Sequence, residues 1–369
     1  MILTELSLKN FRNMEILDLK PCKHVNIIYG ENAQGKTNLL EAIWLLTGAK
    51  SFRGAKDNQL IMLEKDFAEI KAKFFSQGRE QESSISIGRN QKRKKVTLNQ
   101  IDQESCANLS GVFAAVVFSP SHLSLVKDGP AFRRKFLDTL LCQISRVYLK
   151  NLIAYQRILE QRNALLKSDD AFSDQLDIWD LRLCATGSKI IRERLKLVAS
   201  LLPGAQEIYT GISGGREAFS FSYACSVTKE SALPEEELQA AFLRKLKETR
   251  KSDYQLRTTQ TGPHRDDLDF SIDGLDVKIY GSQGQQRSCV LTLKLAECRI
   301  LEELLEEKPV VLLDDVLSEL DSLRQSYVLN YVNDKQVFIT CCDKSFFDYL
   351  QDGKIVQMKG GRLGGEKFQ

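Results

Sequence analysis

Gly30-Glu31-Asn32-Ala33-Gln34-Gly35-Lys36-Thr37 is the stretch on which the reading of this chain turns. It has the spacing G-x-x-x-x-G-K-[ST], and its flanks supply the context that the spacing needs. His24-Val25-Asn26-Ile27-Ile28-Tyr29 reads as a short buried strand, and Asn38-Leu39-Leu40-Glu41-Ala42-Ile43-Trp44-Leu45-Leu46 as a largely buried helix. Strand, glycine turn and helix N-terminus in that order make an anion cradle. Gly30 and Gly35 let the backbone approach phosphates without a Cβ clash, so that successive N–H groups face the anion. Lys36 is expected to reach the β/γ-phosphates of a nucleotide and Thr37 to place its hydroxyl on Mg²⁺. Glu31, Asn32, Ala33 and Gln34 complete the loop as nucleotide-binding candidates. A glycine-rich turn with a solvated lysine is the plainer alternative, and the flanking strand and helix count against it.

The partner motifs lie almost at the other end of the sequence. Val310-Val311-Leu312-Leu313 followed by Asp314-Asp315 has the form of a buried parallel strand with carboxylates at its C-terminal edge. Asp314 is the candidate to hold Mg²⁺, and Asp315 to orient or deprotonate an attacking water. Without the phosphate loop, this pair would be an ordinary strand end. Ser282-Gln283-Gly284-Gln285-Gln286-Arg287 opens a helix carrying Val290, Leu291, Leu293, Leu295 and Ala296. A helix N-terminus with serine and glycine is a second competent anion site, although an isolated string of this kind is commonly just a cap.

Composition narrows the class. At 369 residues the chain exceeds one ordinary core, and 43% hydrophobic with 27% charged residues belongs to a globular protein rather than a disordered one. The net charge of +3 arises from 52 basic against 49 acidic residues, too near balance to imply a polyanionic partner by itself. Nine cysteines without a C-x-x-C pair suggest neither a disulfide framework nor a zinc site, and three dispersed histidines do not make a metal cluster. No stretch reaches the roughly 18 apolar residues of a spanning helix, and no leader pattern opens the chain, so a cytoplasmic protein without a membrane partner is expected.

Antiparallel strands are expected first, through Ile2, Leu6 and Leu8 and then Ile16, Leu17 and Leu19. Ser83–Ile87 and Val96–Asn99 read as a hairpin around Gly88–Lys95, and Val112–Phe118 as a strand. Helical spacing of Phe132, Phe136, Leu140, Ile144, Val147, Ile153 and Leu159 predicts one helical stretch to about Lys167, interrupted by Asp169 and Asp170. A second runs from about Ser173 to Leu202 and stops at Pro203-Gly204; together they suggest an inserted antiparallel helical pair. Pro234-Glu235-Glu236-Glu237 opens a further helix, and strands return at Leu268–Ile272 and Val277–Tyr280. The expected fold class is α/β: a P-loop ATPase head, a mixed sheet with an antiparallel subdomain, carrying an inserted helical lobe. ATPase lobe I is assigned to 1–118 and 292–369, and lobe II, with the helical arm and signature helix, to 119–291.

Ser282–Gln286 and Ser318-Glu319-Leu320-Asp321 resemble the signature motif and D-loop of ABC-type ATPases, with Gln283 in place of one glycine. Lys9-Asn10-Phe11-Arg12-Asn13 is similar to the opening of the SMC-like, DNA-handling branch, which implies Arg12 near the nucleotide. The 278 residues between Lys36 and Asp314 (314 − 36) leave no room for a long coiled coil. Pro120–Asp138, Thr261-Gly262-Pro263-His264-Arg265-Asp266-Asp267 and the run at 314–321 then resemble the RecF family of recombination mediators over nearly the whole chain. That resemblance implies ATP as ligand, ATP-driven homodimerisation and slow hydrolysis. It also implies Ser282, Gln283, Gly284 and Gln285 meeting the partner subunit's γ-phosphate. DNA binding and cooperation with RecR and RecO-type mediators in loading recombinase at gaps follow from it too. Around the loop of His264, it implies an interface or structural role rather than catalysis.

For DNA, Lys92, Arg93, Lys94 and Lys95 place four charges on the hairpin tip, and Arg133 and Arg134 lead a basic arm that includes Lys135, Arg146, Lys150, Arg157 and Arg162. Phosphate contacts without sequence readout need little else. A solvated face is the plain alternative, and Arg133 or Arg134 could instead pair with Asp138. Two rival functions remain at this point: an ATPase cassette of a transporter or translation factor, and a small-molecule P-loop kinase or transferase.

Overall fold

The computed structural model describes residues 1–91, 93–168, 173–230, 233–342 and 353–368. Along the chain, β1 (Ile2–Phe11), β2 (Met14–Leu19) and β3 (Val25–Tyr29) lead into α1 (Lys36–Leu45). Next come β4 (Phe67–Ser76), β5 (Arg79–Gly88), β6 (Lys95–Leu98), β7 (Ile101–Gln103) and β8 (Ala115–Phe118). Helices α2 (Ser124–Lys127), α3 (Pro130–Ile144), α4 (Arg146–Lys167) and α5 (Ser173–Ser213) precede β9 (Phe219–Ala224) and α6 (Glu235–Leu256). They are followed by β10 (Asp267–Ile272), β11 (Leu275–Asp276), α7 (Val277–Tyr280), α8 (Gln283–Leu305) and β12 (Val310–Asp314). The last elements are α9 (Ser322–Tyr331), β13 (Val337–Cys341), β14 (Gly353–Lys359) and β15 (Arg362–Phe368). Among the described residues, no helix is long and apolar enough to cross a membrane.

Contacts divide the chain into two units, Met1–Leu123 with Gly211–Gly215 and Ser288–Gln369, and Ser124–Thr210 with Arg216–Arg287. The first unit holds two six-stranded sheets. One is antiparallel, in the order β2-β1-β4-β5-β6-β7. Its strands alternate as a half-buried sheet should: along β4, Ala68, Ile70, Ala72 and Phe74 are buried while Phe67, Lys71, Lys73 and Phe75 face solvent. The other has the order β15-β14-β3-β13-β12-β8 and is parallel except for β15. Its central strands are buried on both faces, so β12 and β13 are apolar runs rather than alternating ones. A single hydrophobic cluster joins Leu6, Leu8, Ile70 and Phe74 of the first sheet to Leu39, Ile43 and Trp44 of α1 and to Leu312, Phe338 and Val356 of the second. The mixed sheet and the antiparallel subdomain are therefore both present, as is the hairpin, with Ile85 opposite Val96.

The second unit packs α3, α4, α5 and α6 with a small antiparallel sheet in the order β11-β10-β9. Three local expectations fail in it. The helical stretch beginning at Phe132 is two helices, because Ser145 takes an extended conformation and its hydroxyl accepts the N–H of Tyr148 as an N-cap. That break resets the helical phase: Tyr148, Tyr155, Arg162 and Leu166 become the buried line of α4, while Val147 and Ile153 are exposed. The second stretch does not stop at Pro203, which lies inside α5. Pro203 and Ala199 are both exposed, so the carbonyl released by the missing N–H can be solvated. Leu197, Leu201, Ala205 and Ile208 hold the helix in the core on both sides. Val277–Tyr280 is one turn of helix rather than a strand, because the Asp276 carboxylate accepts the N–H groups of Lys278 and Ile279. Asp169 and Asp170 lie outside the described residues.

Candidate nucleotide-binding site

The register of the parallel sheet assembles the site in the first unit. Cys341 of β13 lies opposite Tyr29 of β3, and Thr340 opposite Asp314 of β12. The C-terminal ends of three strands thus emerge side by side, where α/β sheets commonly hold ligands. Gly30 continues β3 and donates its N–H to the Cys341 carbonyl at 3.2 Å. A Cβ at Gly30 would meet the Met358 carbonyl oxygen at 2.3 Å, so the passing strand β14 forbids any side chain there. Gly35 has φ +111°, and a Cβ on it would meet the Asn13 amide at 2.8 Å. Both glycines are required by backbone geometry as well as by the cradle they form.

The rest of the loop is tied down by its surroundings. Ala33 adopts φ +64°. The Gln34 carbonyl accepts the N–H of Gly361 at 2.9 Å and the Asn13 amide at 3.2 Å, and its side chain accepts the N–H of Gly360 at 2.6 Å. Asn32 Oδ1 lies 3.1 Å from the exposed thiol of Cys342. The Lys36 ammonium curls back into the loop, donating to the carbonyls of Gly30 at 2.6 Å and Glu31 at 2.9 Å, with Cys342 Sγ at 3.2 Å. A cation clasped by main-chain carbonyls above a rim of N–H groups can turn to a phosphate placed in that rim.

Thr37 and Asp314 meet. Thr37 Oγ1 donates to Asp314 Oδ1 at 2.7 Å, across 277 residues of sequence. Adjacent ligands around an octahedral ion with bonds of about 2.1 Å stand about 3 Å apart, so this hydroxyl and carboxylate are spaced as a Mg²⁺ ion needs. Burial raises the Asp314 carboxyl above its ordinary range, against the hydrogen bonds from Thr37 and Thr340 and the nearby charge of Arg53. Asp315 is half-buried at φ +52°, and its N–H reaches Thr340 Oγ1 at 3.0 Å.

Arg12 stands at the turn after β1, with a positive φ of 56°. Its guanidinium forms a bidentate pair with Glu41 of α1, at 2.8 and 2.9 Å, and donates to the Gln59 carbonyl at 2.9 Å. In this arrangement Arg12 clamps the β1–β2 turn to α1. The residue that reading missed is Arg53, which donates to Asn38 Oδ1 at 2.8 Å and whose charge acts on Asp314. Nothing local marks it, since only the path of the chain after α1 brings it there.

In the second unit, Ser282 and Gln285 form a reciprocal cap at the start of α8. The Ser282 hydroxyl accepts the Gln285 N–H at 3.2 Å, and the Gln285 side chain accepts the Ser282 N–H at 2.8 Å. Gln285 also donates to Glu217 at 3.0 Å, and Ser282 and Gln283 are exposed.

The basic candidates separate. Arg93 and Lys95 are exposed, Lys94 pairs with Asp57 at 2.8 Å, and Lys92 lies outside the described residues. Arg133 is buried: it forms a bidentate pair with Asp267 at 2.5 and 2.8 Å and donates to the carbonyls of Leu125 and Asp128. Arg134 is half-buried against the Asp266 carbonyl at 2.8 Å. Arg162 is fully buried between Asp180 at 2.6 Å and Asp253 at 2.8 Å. The expectation that Arg133 and Arg162 face a polyanion is therefore corrected, because both charges are consumed inside the fold. Asp138 pairs instead with Arg194, at 2.7 Å. His264 is half-buried, with Tyr155 Oη 2.7 Å from Nδ1 and the Thr259 carbonyl 3.0 Å from Nε2.

Comparison with known proteins agrees with this architecture. Residues 2–362 match the family described as RecF/RecN/SMC N terminal domain. The DNA replication and repair protein RecF of Agathobacter rectalis is 42% identical over 369 residues, covering 98% of this chain and 99% of that protein. Among solved structures, the recombination mediator protein RecF-ATPrS of the RecFOR pathway has a TM-score of 0.92 at 35% identity, covering 98% of this chain and 97% of its own. RecF-ATP of the same pathway has a TM-score of 0.91 at 34% identity, covering 100% and 97%. The fold is an ABC-type ATPase head, and the chain belongs to the RecF family, whose matched relatives bear the name of DNA replication and repair proteins.

Proposed function

We propose that this chain is an ATP-dependent DNA-binding switch of recombinational repair and replication restart. In this reading two copies close over two ATP molecules, clamp DNA without reading its sequence, and reopen after slow hydrolysis. The observation that carries it is the hydrogen bond between Thr37 and Asp314 beside the Lys36 cradle, which unites the early and late motifs in one place. The RecF-ATP relative, 34% identical over all of this chain, supports ATP as the ligand. Regions 1–118 and 292–369 serve as the ATPase lobe, and 119–291 as the lobe that presents Ser282–Gln285 to the partner's γ-phosphate. RecR and RecO-type mediators are the expected protein partners, in keeping with the RecFOR pathway named for its structural relatives.

Each residue has a chemical task. Main-chain N–H groups from Gly30 to Lys36 cradle the β-phosphate, and the Lys36 ammonium leaves its carbonyl partners for the β/γ-oxygens. Thr37 and Asp314 would hold Mg²⁺, which would supply charge neutralisation on the phosphate oxygens. Asp315 takes the proton of the attacking water. The water oxygen bonds to the γ-phosphorus, and the β,γ-bridging bond breaks with its electron pair staying on ADP. An aspartate reaches one methylene less far than a glutamate would, and about 1 Å of misplacement can cost on the order of 100-fold, consistent with a slow timer rather than a fast motor.

Sedimentation of the full chain with DNA, in ATP, ADP or no nucleotide, tests the switch. ATP alone should produce a dimer and tighten DNA binding. Lys36→Ala should abolish both effects, and a Lys36→Ala protein that still dimerises with ATP would refute the mechanism. Asp315→Asn should bind ATP and dimerise but persist in the closed state, read as slower release of DNA after ATP is removed.

A further inference from the structure

The C-terminal end of β13 reaches both the phosphate loop and the acidic pair. The Cys341 carbonyl receives the N–H of Gly30, Cys342 Sγ lies against Lys36 and Asn32, and Thr340 lies between the two acids. We propose that Thr340 is a positioning residue for ATP hydrolysis, its hydroxyl setting Asp314 and Asp315 in mutual register. This inference rests on the hydrolytic reading above and extends it to a residue outside the phosphate loop and the acidic pair.

The geometry is specific to a hydroxyl. Thr340 is 2% exposed, and the parallel register places it directly beside Asp314. Its Oγ1 accepts the Asp315 N–H at 3.0 Å and lies 3.2 Å from Asp314 Oδ1, the same oxygen that Thr37 reaches at 2.7 Å. A hydroxyl has one proton and two lone pairs, so it can donate to the carboxylate while accepting from the amide. Neither a methyl group nor an ammonium could do both. Such a hold favours the observed backbone of Asp315, whose φ of +52° is a left-handed conformation that is energetically unfavourable for a side-chain-bearing residue. Ser318 Oγ donates to the Asp315 carbonyl at 2.7 Å, so this residue is pinned at both its N–H and its carbonyl. Its carboxylate has Ser318 Oγ 3.4 Å from Oδ1, and its charge acts on Asp314.

Thr340→Val keeps the shape of the side chain and removes the hydroxyl, while Thr340→Ser keeps the hydroxyl. Three measurements on the full chain separate positioning from mere support: steady-state ATP hydrolysis, affinity for a non-hydrolysable ATP analogue with and without Mg²⁺, and thermal stability. Thr340→Val should lower kcat by about 10- to 100-fold with KM nearly unchanged, the range seen when a partner behind a metal ligand or a reacting group is lost. The gain in analogue affinity that Mg²⁺ provides should shrink by about tenfold, while affinity without Mg²⁺ stays the same. Thr340→Ser should restore both. Wild-type kcat and an undiminished Mg²⁺ effect in Thr340→Val would overturn the inference. So would a loss of Mg²⁺-free binding and of melting temperature shared by both variants, since that marks a purely structural residue. A wild-type chain with no Lys36-dependent hydrolysis would instead overturn the underlying reading, whatever Thr340 does.

Discussion

A neutral imidazole at position 264 is what burial produces. Desolvation lowers the His264 pKa to about 4, with Arg265, Arg134 and Arg162 adding repulsion against the bond to the Thr259 carbonyl. The ring then donates from Nε2 to Thr259 and accepts at Nδ1 from Tyr155, packed against Gly262, whose φ of +129° leaves no room for a Cβ beside Tyr155 and Phe242. An unfolded histidine titrates near 6.5, so between about 6.5 and about 4 the unfolded chain binds a proton that the folded chain refuses. The stability His264 supplies is therefore complete above pH 6.5 and is lost as pH falls toward 4, in total on the order of 3 kcal/mol. Urea unfolding of wild type and His264→Gln across this range should show the difference between them narrowing as pH drops. A constant difference would mean that the ring is not held neutral. Residue type and spacing alone do not reveal this role, because Pro263-His264-Arg265 looks equally like an acid/base loop.

At the scale of elements, local rules failed where tertiary packing outweighed propensity. Proline ends most helices because it removes a hydrogen bond and crowds the preceding turn. In α5 the apolar residues on both sides of Pro203 are buried, and that burial carries the helix through. The cost persists, so Pro203→Ala should stabilise the chain, by up to about 3 kcal/mol if the Ala199 carbonyl regains its N–H partner. Urea denaturation measures this directly; an unchanged or lower midpoint would show that the turn has relaxed around the proline. Two other departures have one cause, capping by a short polar side chain. Ser145 divides one expected helix into α3 and α4, and Asp276 turns an expected strand into α7. Each replaces a periodic apolar pattern with a side-chain hydrogen bond that the pattern does not register.

For the molecule as a whole, the electrostatic surface is smaller than the count of basic residues suggests. Arg133 and Arg162 are buried in ion pairs and Lys94 is paired with Asp57, whereas Arg93 and Lys95 are exposed. If the hairpin tip contacts duplex phosphates, replacing Arg93 and Lys95 by Ala should reduce the slope of log K against log salt by about 2, near 0.9 for each lost contact. Arg133→Ala should leave that slope alone and instead cost stability, about 3–5 kcal/mol for a broken buried pair. DNA titrations at several salt concentrations, beside denaturation of the same variants, decide between the two behaviours. An unaltered slope in the Arg93 and Lys95 double variant would move the DNA contact elsewhere.

The sequence by itself determined the phosphate loop, the strand and helix around it, the acidic strand end and the capped helix at Ser282, because each is encoded in neighbouring residues. Its family strings also identified the lineage, since several short motifs fall in one order along the chain. What only the tertiary structure decided is which of these pieces meet. The bond of Thr37 to Asp314, the bridging hydroxyl of Thr340, the clamp of Arg12 on Glu41 and the burial of Arg133 depend on strand order and register. Those are set by how two sheets and a helical unit bury their apolar faces, a balance summed over the fold that no short stretch contains.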